Sequence, residues 1–266
     1  MAAKRPDPGA DDRRRQARAA QAAAAARAKR RRTITQLAII GGVAVVVIAI
    51  VATAVVLGNR GKAAAAAAAG GAPASTATTT VGGASVPFSI GGTGDTANGV
   101  RVGAADAKVK VDLWVDYSCP HCQEFEATNN DVLTGLVAAG NVAVTYHNIQ
   151  IVTDYGTEAG SASACMAVHD PSAWPTFNAA LYANHTAQTD SWTSTDFSRF
   201  AASDGAGSAT RSCIENGTYK SWITANTAAS SKAGVTGTPT MFIDGQKTDT
   251  LSGQALTDRV HQLASA

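Results

Sequence analysis

The sequence lacks charge in one long stretch and lacks basic clusters over most of its length. Residues 37–57 contain no Asp, Glu, Lys or Arg. At about 1.5 Å per residue such a helix could cross a hydrocarbon core of roughly 30 Å, which excludes a purely cytosolic protein. Residues 63–266 hold 17 acidic and only 9 basic side chains. This excess of acid argues against a nucleic-acid binder, because phosphate contacts need clustered Lys and Arg.

The uncharged stretch predicts a single transmembrane anchor at residues 37–57. It follows a 36-residue leader and is longer than the apolar core of a signal peptide, roughly 7–15 residues. Four basic residues, 29–32, precede it, so the positive-inside rule keeps residues 1–36 in the cytoplasm and places the C-terminal part outside. The leader is either disordered or a basic helix on anionic lipid. The alternative is cleavage within the alanine tract 63–69, which would give a secreted protein.

Large apolar side chains are almost absent from residues 58–85, where Ala, Gly, Thr and Ser dominate. This composition cannot bury a core and predicts a flexible linker that holds a domain away from the membrane. Residues 86–266 are numerous enough for one domain with a core of its own.

Residues 86–266 alternate strand patterns with helical patterns, which predicts an α/β domain. A period of two at 109–115, and apolar residues in 141–152, predict two strands, and the spacing of apolar residues in 120–137 predicts a helix between them. Such a βαβ unit implies a right-handed crossover and parallel neighbouring strands. A third strand is predicted at 240–243.

The residues between the second and third predicted strands predict additional helices. Residues 155–233 contain helical segments and no convincing strand, which favours a helical insertion; a separate helical domain is the alternative. After the third strand, Asp244-Gly245 is a hairpin signal, and residues 253–264 carry apolar side chains at helical spacing.

The chemistry of the chain is concentrated in its four cysteines. Cys119-Pro120-His121-Cys122 stands where a predicted strand ends and a helix begins, the context in which Cys-x-x-Cys is redox-active. Unpaired backbone N–H groups and the positive end of the helix dipole would stabilise a thiolate on Cys119, and Pro120 suits the first helical position. His121 beside the sulfur would add to this effect. A stable Cys119 thiolate is a good leaving group, which favours oxidation of substrate thiols.

A zinc site is the competing interpretation of the Cys-x-x-Cys motif. The two other cysteines, Cys165 and Cys213, are 48 positions apart and do not form a second close pair. The histidines outside the motif are scattered along the chain. The sequence therefore predicts no metal site.

Three features together resemble the DsbA-like thioredoxin-fold thiol-disulfide oxidoreductases. They are the segment Val115-Asp116-Tyr117-Ser118-Cys119-Pro120-His121-Cys122, the helical insertion, and Gly234-Val235-Thr236-Gly237-Thr238-Pro239-Thr240 before the third strand. The resemblance runs from about Lys108 to the C-terminus. It implies that Pro239 is cis and lies beside the active-site disulfide, and that Thr238 pairs with the substrate backbone.

The chain departs from the family at one position beneath the disulfide, and the assignment of the active-site pair leaves two cysteines to be explained. Oxidases of the family carry a buried carboxylate in the strand beneath the disulfide, where this chain has Leu113. Asp112 or Asp116 could relay a proton to Cys122 instead, or both could simply be carboxylates at the solvent or sheet edge. Once the active-site pair is assigned, Cys165 and Cys213 are left to form a structural bridge within the insertion, with two buried free thiols as the alternative.

These features predict a membrane-anchored, extracytoplasmic dithiol oxidase that introduces disulfides into exported proteins. It would need no dissociable cofactor and would act as a monomer, since no dimerisation domain is visible. The resemblance implies reoxidation by a membrane protein of the DsbB or vitamin K epoxide reductase type. One alternative is a disulfide isomerase or reductase of the same fold. Another is a tethered binding module that holds extended chains and has an inert disulfide.

Overall fold

The computed structural model describes residues 71–91 and 99–265, and seven strands of this part form one sheet. The strands are β1 (Ser75–Val81), β2 (Ala84–Gly91), β3 (Gly99–Val102), β4 (Val109–Val115), β5 (Val142–Asn148), β6 (Thr240–Ile243) and β7 (Gln246–Thr248). Their order across the sheet is β1-β2-β3-β5-β4-β6-β7. The central β4–β5 pair is parallel, as predicted, and the other neighbouring pairs are antiparallel.

Seven α-helices connect or cover these strands in the described part of the chain. They are α1 (Pro120–Ala138), α2 (Tyr155–His169), α3 (Trp174–Ala183), α4 (Ser194–Ser203), α5 (Ser208–Glu215), α6 (Lys220–Ser230) and α7 (Gly253–Ala264). Helix α1 is the crossover between the parallel strands. Helices α2 to α6 all lie between β5 and β6, so the predicted α/β fold with a helical insertion is confirmed.

Strand β4 lies at the centre of the core because its alternation places apolar side chains on one face. Val109, Val111 and Leu113 are all fully buried. On the other face Trp114 packs with Ile149 and Val235 in a smaller apolar cluster. The second face is buried only near the end of the strand, because Lys110 is exposed and Asp112 is half-buried.

The predicted linker boundary at residue 86 is wrong. Residues 75–81 form β1, which pairs along its whole length with β2. A strand at a sheet edge needs to bury only one of its faces, and here Thr79 and Val81 are buried while Thr76, Thr78 and Thr80 are exposed. Thr is β-branched and favours strands, so the threonine-rich stretch predicted as linker forms a strand where β2 pairs with it.

Several predictions lie outside the described residues. They are the basic leader, the anchor at 37–57 and the linker up to residue 70. Within the described residues, none of the helices has the length and apolar character needed to span a bilayer.

Candidate active site around Cys119 and Cys122

The Cys-x-x-Cys segment lies at the junction of β4 and α1, where it was predicted. Cys119 is the N-cap residue of α1 with an extended backbone, and Pro120 occupies the first turn. The Gln123 amide donates to the Cys119 carbonyl oxygen at 3.0 Å. The first amides of the helix have no carbonyl partner within the helix, so they and the helix dipole act on the Cys119 sulfur.

The two thiols differ strongly in acidity. The hydrogen bond from the Cys122 thiol is the largest cause that lowers the pKa of Cys119, from 9.0 to about 5; burial opposes it, while Thr238 and the amides of Cys122 and His121 reinforce it. The same hydrogen bond, followed by burial, raises the pKa of Cys122 well above its usual value. Both residues are free thiols in this structure, and they are 5% and 1% exposed. Cys119 is therefore the stable thiolate of the pair.

His121 contributes to the site through its backbone amide. Its imidazole is 79% exposed, and Nδ1 lies 3.6 Å from the Glu124 carboxylate. The amide is one of the groups that lower the pKa of Cys119. The structure thus places the residue beside the sulfur but directs its side chain to solvent and to Glu124.

The segment before β6 forms the other side of the site. The Thr238-Pro239 peptide bond is cis, as the family resemblance implied. The Cys119 sulfur lies 3.3 Å from the Thr238 carbonyl oxygen. An open groove of about 460 Å³ runs beside this contact, with His121, Phe125 and Pro239 among its lining residues. An extended chain bound in this groove would lie beside Cys119.

A buried carboxylate holds the reactive loop, residues 116–119, in place. Oδ1 of Asp116 accepts hydrogen bonds from the Ser118 amide at 2.8 Å and from the Ser118 hydroxyl at 2.6 Å. Its Oδ2 accepts from the amides of Ile151 and Val152, at 2.7 and 3.0 Å. These amides donate to Asp116 and not to a neighbouring strand. The strand predicted to extend to residue 152 therefore ends at Asn148.

Asp112, the other candidate for proton relay, faces away from the site. Its Oδ1 lies 3.0 Å from His147 Nε2, and the His147 ring stacks on Trp114 with a centroid separation of 4.5 Å. This cluster lies on the opposite face of the sheet from Leu113, which is fully buried in the main core. Asp112 is therefore far less suited than a core carboxyl to exchange a proton with Cys122.

Glu126 is a buried acid on the same helix as Cys122, and the motifs of the sequence do not single it out. It is 5% exposed, and burial raises the pKa of its carboxyl from 4.5 to about 7 although a hydrogen bond from Asn178 opposes the rise. Glu126 follows Cys122 by four residues, so the two share one face of α1. The buried stripe Cys122, Glu126, Asn129 and Leu133 has helical spacing and was the available signal.

The remaining two cysteines form a disulfide. Cys165 of α2 and Cys213 of α5 are bonded, with their Cα atoms 5.8 Å apart, which is the pairing left once the active-site cysteines are assigned. The bridge is therefore internal to the helical insertion. Among residues 71–91 and 99–265, no three His, Cys, Asp or Glu side chains are grouped in a way that could hold a metal ion.

The sequence and the fold place the chain in a known family. A family model described as thioredoxin matches residues 95–260, more than half of the chain, so the chain belongs to the thioredoxin family. Part of the chain also resembles the serine/threonine-protein kinase PknE of Mycobacterium tuberculosis, with 30% identity over 132 residues. This match covers 45% of the chain and only 23% of the kinase, so the chain spans about a quarter of the length of that relative.

Solved structures with the same fold are thiol-disulfide oxidoreductases of the DsbA type. MdbA of Corynebacterium diphtheriae is 24% identical with a TM-score of 0.53, and the match covers 67% of this chain and 94% of MdbA. Oxidised DsbA of M. tuberculosis is 22% identical with a TM-score of 0.56, covering 64% and 94%. BdbD of Bacillus subtilis is 18% identical with a TM-score of 0.56, covering 66% and 98%. At these identities the likeness shows that the chain has a DsbA-like fold.

Proposed function

We propose that this protein is an extracytoplasmic thiol-disulfide oxidase that introduces disulfides into exported proteins through Cys119 and Cys122. The observation that carries the proposal is the unequal acidity of the two thiols, with the pKa of Cys119 lowered to about 5 and that of Cys122 raised. A disulfide whose reduced form contains a stable thiolate accepts electrons readily. The MdbA and DsbA structures support the assignment through their shared fold.

The reaction begins with the pair oxidised. A substrate thiolate attacks the Cys119 sulfur, the Cys119–Cys122 bond breaks, and Cys122 leaves with the electron pair. A second substrate thiolate then attacks the substrate sulfur of the mixed disulfide, and Cys119 leaves as its stable thiolate. The substrate gains a disulfide and the protein ends as the dithiol. Thr238 and the groove beside Pro239 would hold the substrate backbone during both steps.

Cys122 leaves into a buried site, where a thiolate is costly, so it must be protonated. Glu126 is the group we assign to this step. It shares the buried face of α1 with Cys122, and a cleft lined by Gln123, Glu126 and Tyr182 connects its carboxyl to the surface. A carboxyl with a pKa of about 7 is partly protonated at neutral pH and exchanges protons in both directions.

The surroundings of the reaction follow from the N-terminal sequence. A transmembrane anchor at residues 37–57 would hold the domain outside the cytoplasm, close to a membrane reoxidant of the DsbB or vitamin K epoxide reductase type. That partner would accept the electrons of the reduced pair, and the protein would act as a monomer. Mass spectrometry of membrane-extracted protein tests the anchor: a mature N-terminus within residues 63–69 would contradict it.

The direction of the reaction is tested by equilibrating the protein with glutathione redox buffers. An oxidase is expected to have a potential well above the value of roughly −270 mV that is typical of thioredoxin. The absorbance of the reduced protein at 240 nm should titrate with a midpoint near pH 5, and this signal should vanish in Cys119→Ser. A potential near that of thioredoxin would instead make the protein a reductase. The cellular redox state of Cys119, oxidised for an oxidase and reduced for an isomerase, gives an independent answer.

A further inference from the structure

The Glu126 carboxyl has one side-chain hydrogen-bond donor within the described residues, and this donor belongs to the helical insertion. The Asn178 amide, in α3, donates from Nδ2 to Glu126 Oε1 at 3.2 Å. Asn178 is 3% exposed and Glu126 is 5% exposed, so water competes little for this contact. The Gln123 amide also donates to the Tyr182 carbonyl oxygen at 2.8 Å. Helix α3 is therefore bonded to α1 at two positions within one turn of α1, next to Cys122.

The Asn178 amide is held at its other end by the reactive loop. The Tyr117 hydroxyl lies 2.7 Å from Asn178 Oδ1 and 2.8 Å from the Ser163 hydroxyl. An amide oxygen only accepts, so the single Tyr117 hydrogen is used for Asn178, and Ser163 donates to Tyr117 in turn. The Trp174 indole N–H can only donate, and it binds Ser163 at 2.9 Å. This order of donors fixes Asn178 with its Nδ2 toward Glu126.

Uncharged groups face the Glu126 carboxyl. The titratable ones are three phenols and one thiol, those of Tyr117, Tyr146, Tyr182 and Cys122. Burial raises the pKa of each phenol, so the phenols are neutral at pH 7. Asp131 lines the same cleft as Glu126 but is exposed to solvent. No Lys, Arg or His within residues 71–91 and 99–265 forms an ion pair with Glu126, so the neutral Asn178 amide is the group that can favour its carboxylate.

Asn178 can donate to Glu126 both before and after the carboxyl loses its proton. When Cys122 leaves Cys119, the Glu126 proton passes to the Cys122 sulfur and a carboxylate remains. A hydrogen bond to a charged oxygen is stronger than one to a neutral oxygen, so Asn178 stabilises the carboxylate more than the acid. Residues one helical turn apart have Cβ atoms about 5–6 Å from each other, so the orientation of the Glu126 side chain decides whether its carboxyl reaches Cys122.

We propose that Asn178 is a positioning residue for proton exchange between Glu126 and Cys122, and that Tyr117 and Ser163 keep Asn178 in place. The helical insertion thereby takes part in the reaction of the active-site pair. The inference rests on the proposed role of Glu126 as the acid. It holds for either direction of exchange, because the same proton returns to Glu126 when the disulfide forms again.

The first test measures the protonation of Glu126 directly. The chain contains four glutamates, so carbon-13 NMR of the reduced full-length protein can identify the Glu126 carboxyl, with Glu126→Gln to assign it. Asn178→Leu keeps the approximate size of the side chain and removes the donor. The titration midpoint of Glu126, near pH 7 in the parent, should rise by about one unit because a hydrogen bond to the carboxylate is lost. An unchanged midpoint would overturn the inference.

The second test measures how fast glutathione reduces the oxidised protein. The rate is divided by the fraction of glutathione present as thiolate, and in the parent it should fall as Glu126 loses its proton. In Asn178→Leu the pH of this fall should also rise by about one unit. Below that pH the rate should be about threefold lower, because a carboxyl with a higher pKa is a weaker acid. A purely structural role for Asn178 would lower stability without moving either midpoint.

Thr210→Val is the matched control. It removes a buried hydrogen bond to Asp170 elsewhere in the insertion and should leave both midpoints at the parent values. A shift in this variant equal to that of Asn178→Leu would overturn the inference. If Asn178→Leu does not fold, Asn178→Asp decides, because it keeps an acceptor for Tyr117 and brings a second carboxyl to Glu126. The midpoint should then rise further.

Tyr117→Phe tests the support of the Asn178 amide. It removes the hydroxyl that binds Asn178 Oδ1 and should raise the Glu126 midpoint by less than Asn178→Leu does. The double variant should match Asn178→Leu alone, because both changes act through one amide. Additive shifts would show that Tyr117 does not act through Asn178 and would overturn that part of the proposal.

Glu126→Gln separates a failure of this inference from a failure of the proposed function. If this variant reacts like the parent at every pH, Glu126 is not the acid, and the proposed proton step fails together with the inference. If Glu126→Gln changes the pH profile and Asn178→Leu does not, only the inference fails. A potential near that of thioredoxin would remove the oxidase direction and leave the role of Asn178 intact.

Discussion

Cys119 and Cys122 lie at the junction of strand β4 and helix α1, whereas Cys165 and Cys213 lie within two helices of the insertion. In the first pair, the Cys119 sulfur receives hydrogen bonds from backbone amides and from the Cys122 thiol, and the neighbouring residues His121 and Thr238 line an open groove. All four cysteines belong to the main apolar core, so burial alone does not distinguish the two pairs. Both pairs consist of the same two side chains, so the surroundings of each pair decide which one reacts. A sulfur that receives hydrogen bonds can carry charge and leave, and a sulfur buried among apolar side chains cannot.

The largest expected effect separates the pairs by reactivity. Cys119→Ser removes the attacked sulfur and should abolish exchange with glutathione and with peptides, because Cys122 is 1% exposed and its burial disfavours the thiolate. Stopped-flow reduction of the oxidised parent and trapping of mixed disulfides on non-reducing gels measure this. Cys165→Ser should retain the exchange. Residual exchange through Cys122 in the Cys119 variant would show that the two thiols are less different than the structure indicates.

The second prediction separates the pairs by stability. Cys165→Ser or Cys213→Ser opens a bridge between residues 48 apart and should lower the free energy of unfolding by about 4 kcal/mol in the chain-entropy model. The redox potential of the active-site pair should not change. Urea denaturation and glutathione equilibration of the same samples give both numbers. An equal loss of potential would mean that the insertion disulfide influences the reactive site.

The third prediction concerns the buried acid beside the reactive pair. The folded pKa of Glu126 is raised to about 7, so its contribution to stability is complete below about pH 4.5 and is lost as the pH rises through about 7. Glu126→Gln removes this dependence. The stability of the parent relative to the variant should fall by about 3 kcal/mol between pH 4 and pH 8, since one pKa unit corresponds to about 1.4 kcal/mol.

Urea denaturation at several pH values measures this difference for Glu126→Gln. Glu124→Gln is the matched control, because Glu124 lies on the same helix with its side chain 79% exposed. The rate at which a thiol reduces the oxidised protein, divided by the fraction of that thiol present as thiolate, should also depend less on pH in Glu126→Gln than in the parent. Glu124→Gln should behave like the parent. Parallel stability curves for the parent and Glu126→Gln would show that Glu126 has an ordinary pKa.

The smallest expected effect concerns the support beneath the reactive loop. Gly156→Ala would push a methyl group against the Asp116 carboxylate and should destabilise the protein by about 1–3 kcal/mol. Gly135→Ala in α1 is the control, because nothing lies within 4 Å of an added Cβ and alanine favours a helix by up to about 1 kcal/mol. Thermal or urea unfolding of both variants gives the comparison. A neutral Gly156→Ala would mean that the two loops separate easily.

Local sequence patterns predicted the bounds of those helices and strands whose signals lie within the segment itself. The strand predicted at 240–243 and the helix predicted at 253–264 match β6 and α7 to the residue. Cys119 and Pro120 hold the positions predicted for a helix start. These elements have clear apolar periods, a turn signal or a proline beside them, so little outside the segment affects them.

Local patterns failed where a distant residue supplies the missing partner. Residues 75–81 form a strand only because β2 pairs with them and the core covers Thr79 and Val81. The loop after β5 begins early because the amides of Ile151 and Val152 bind Asp116, which is 35 residues away. No window of sequence contains both partners of such a contact.

The reactive motif, its place at a strand–helix junction and the elements next to it could be predicted from local signals, namely charge, apolar period and helix-start residues. The folded structure was needed to identify Glu126 as the buried acid and Asp116 as the residue that joins two loops, and to show that the predicted Cys165–Cys213 bridge links α2 to α5. The physical reason is that burial and hydrogen-bond partners set the pKa and the role of a side chain. Both are fixed by which distant segments pack against it.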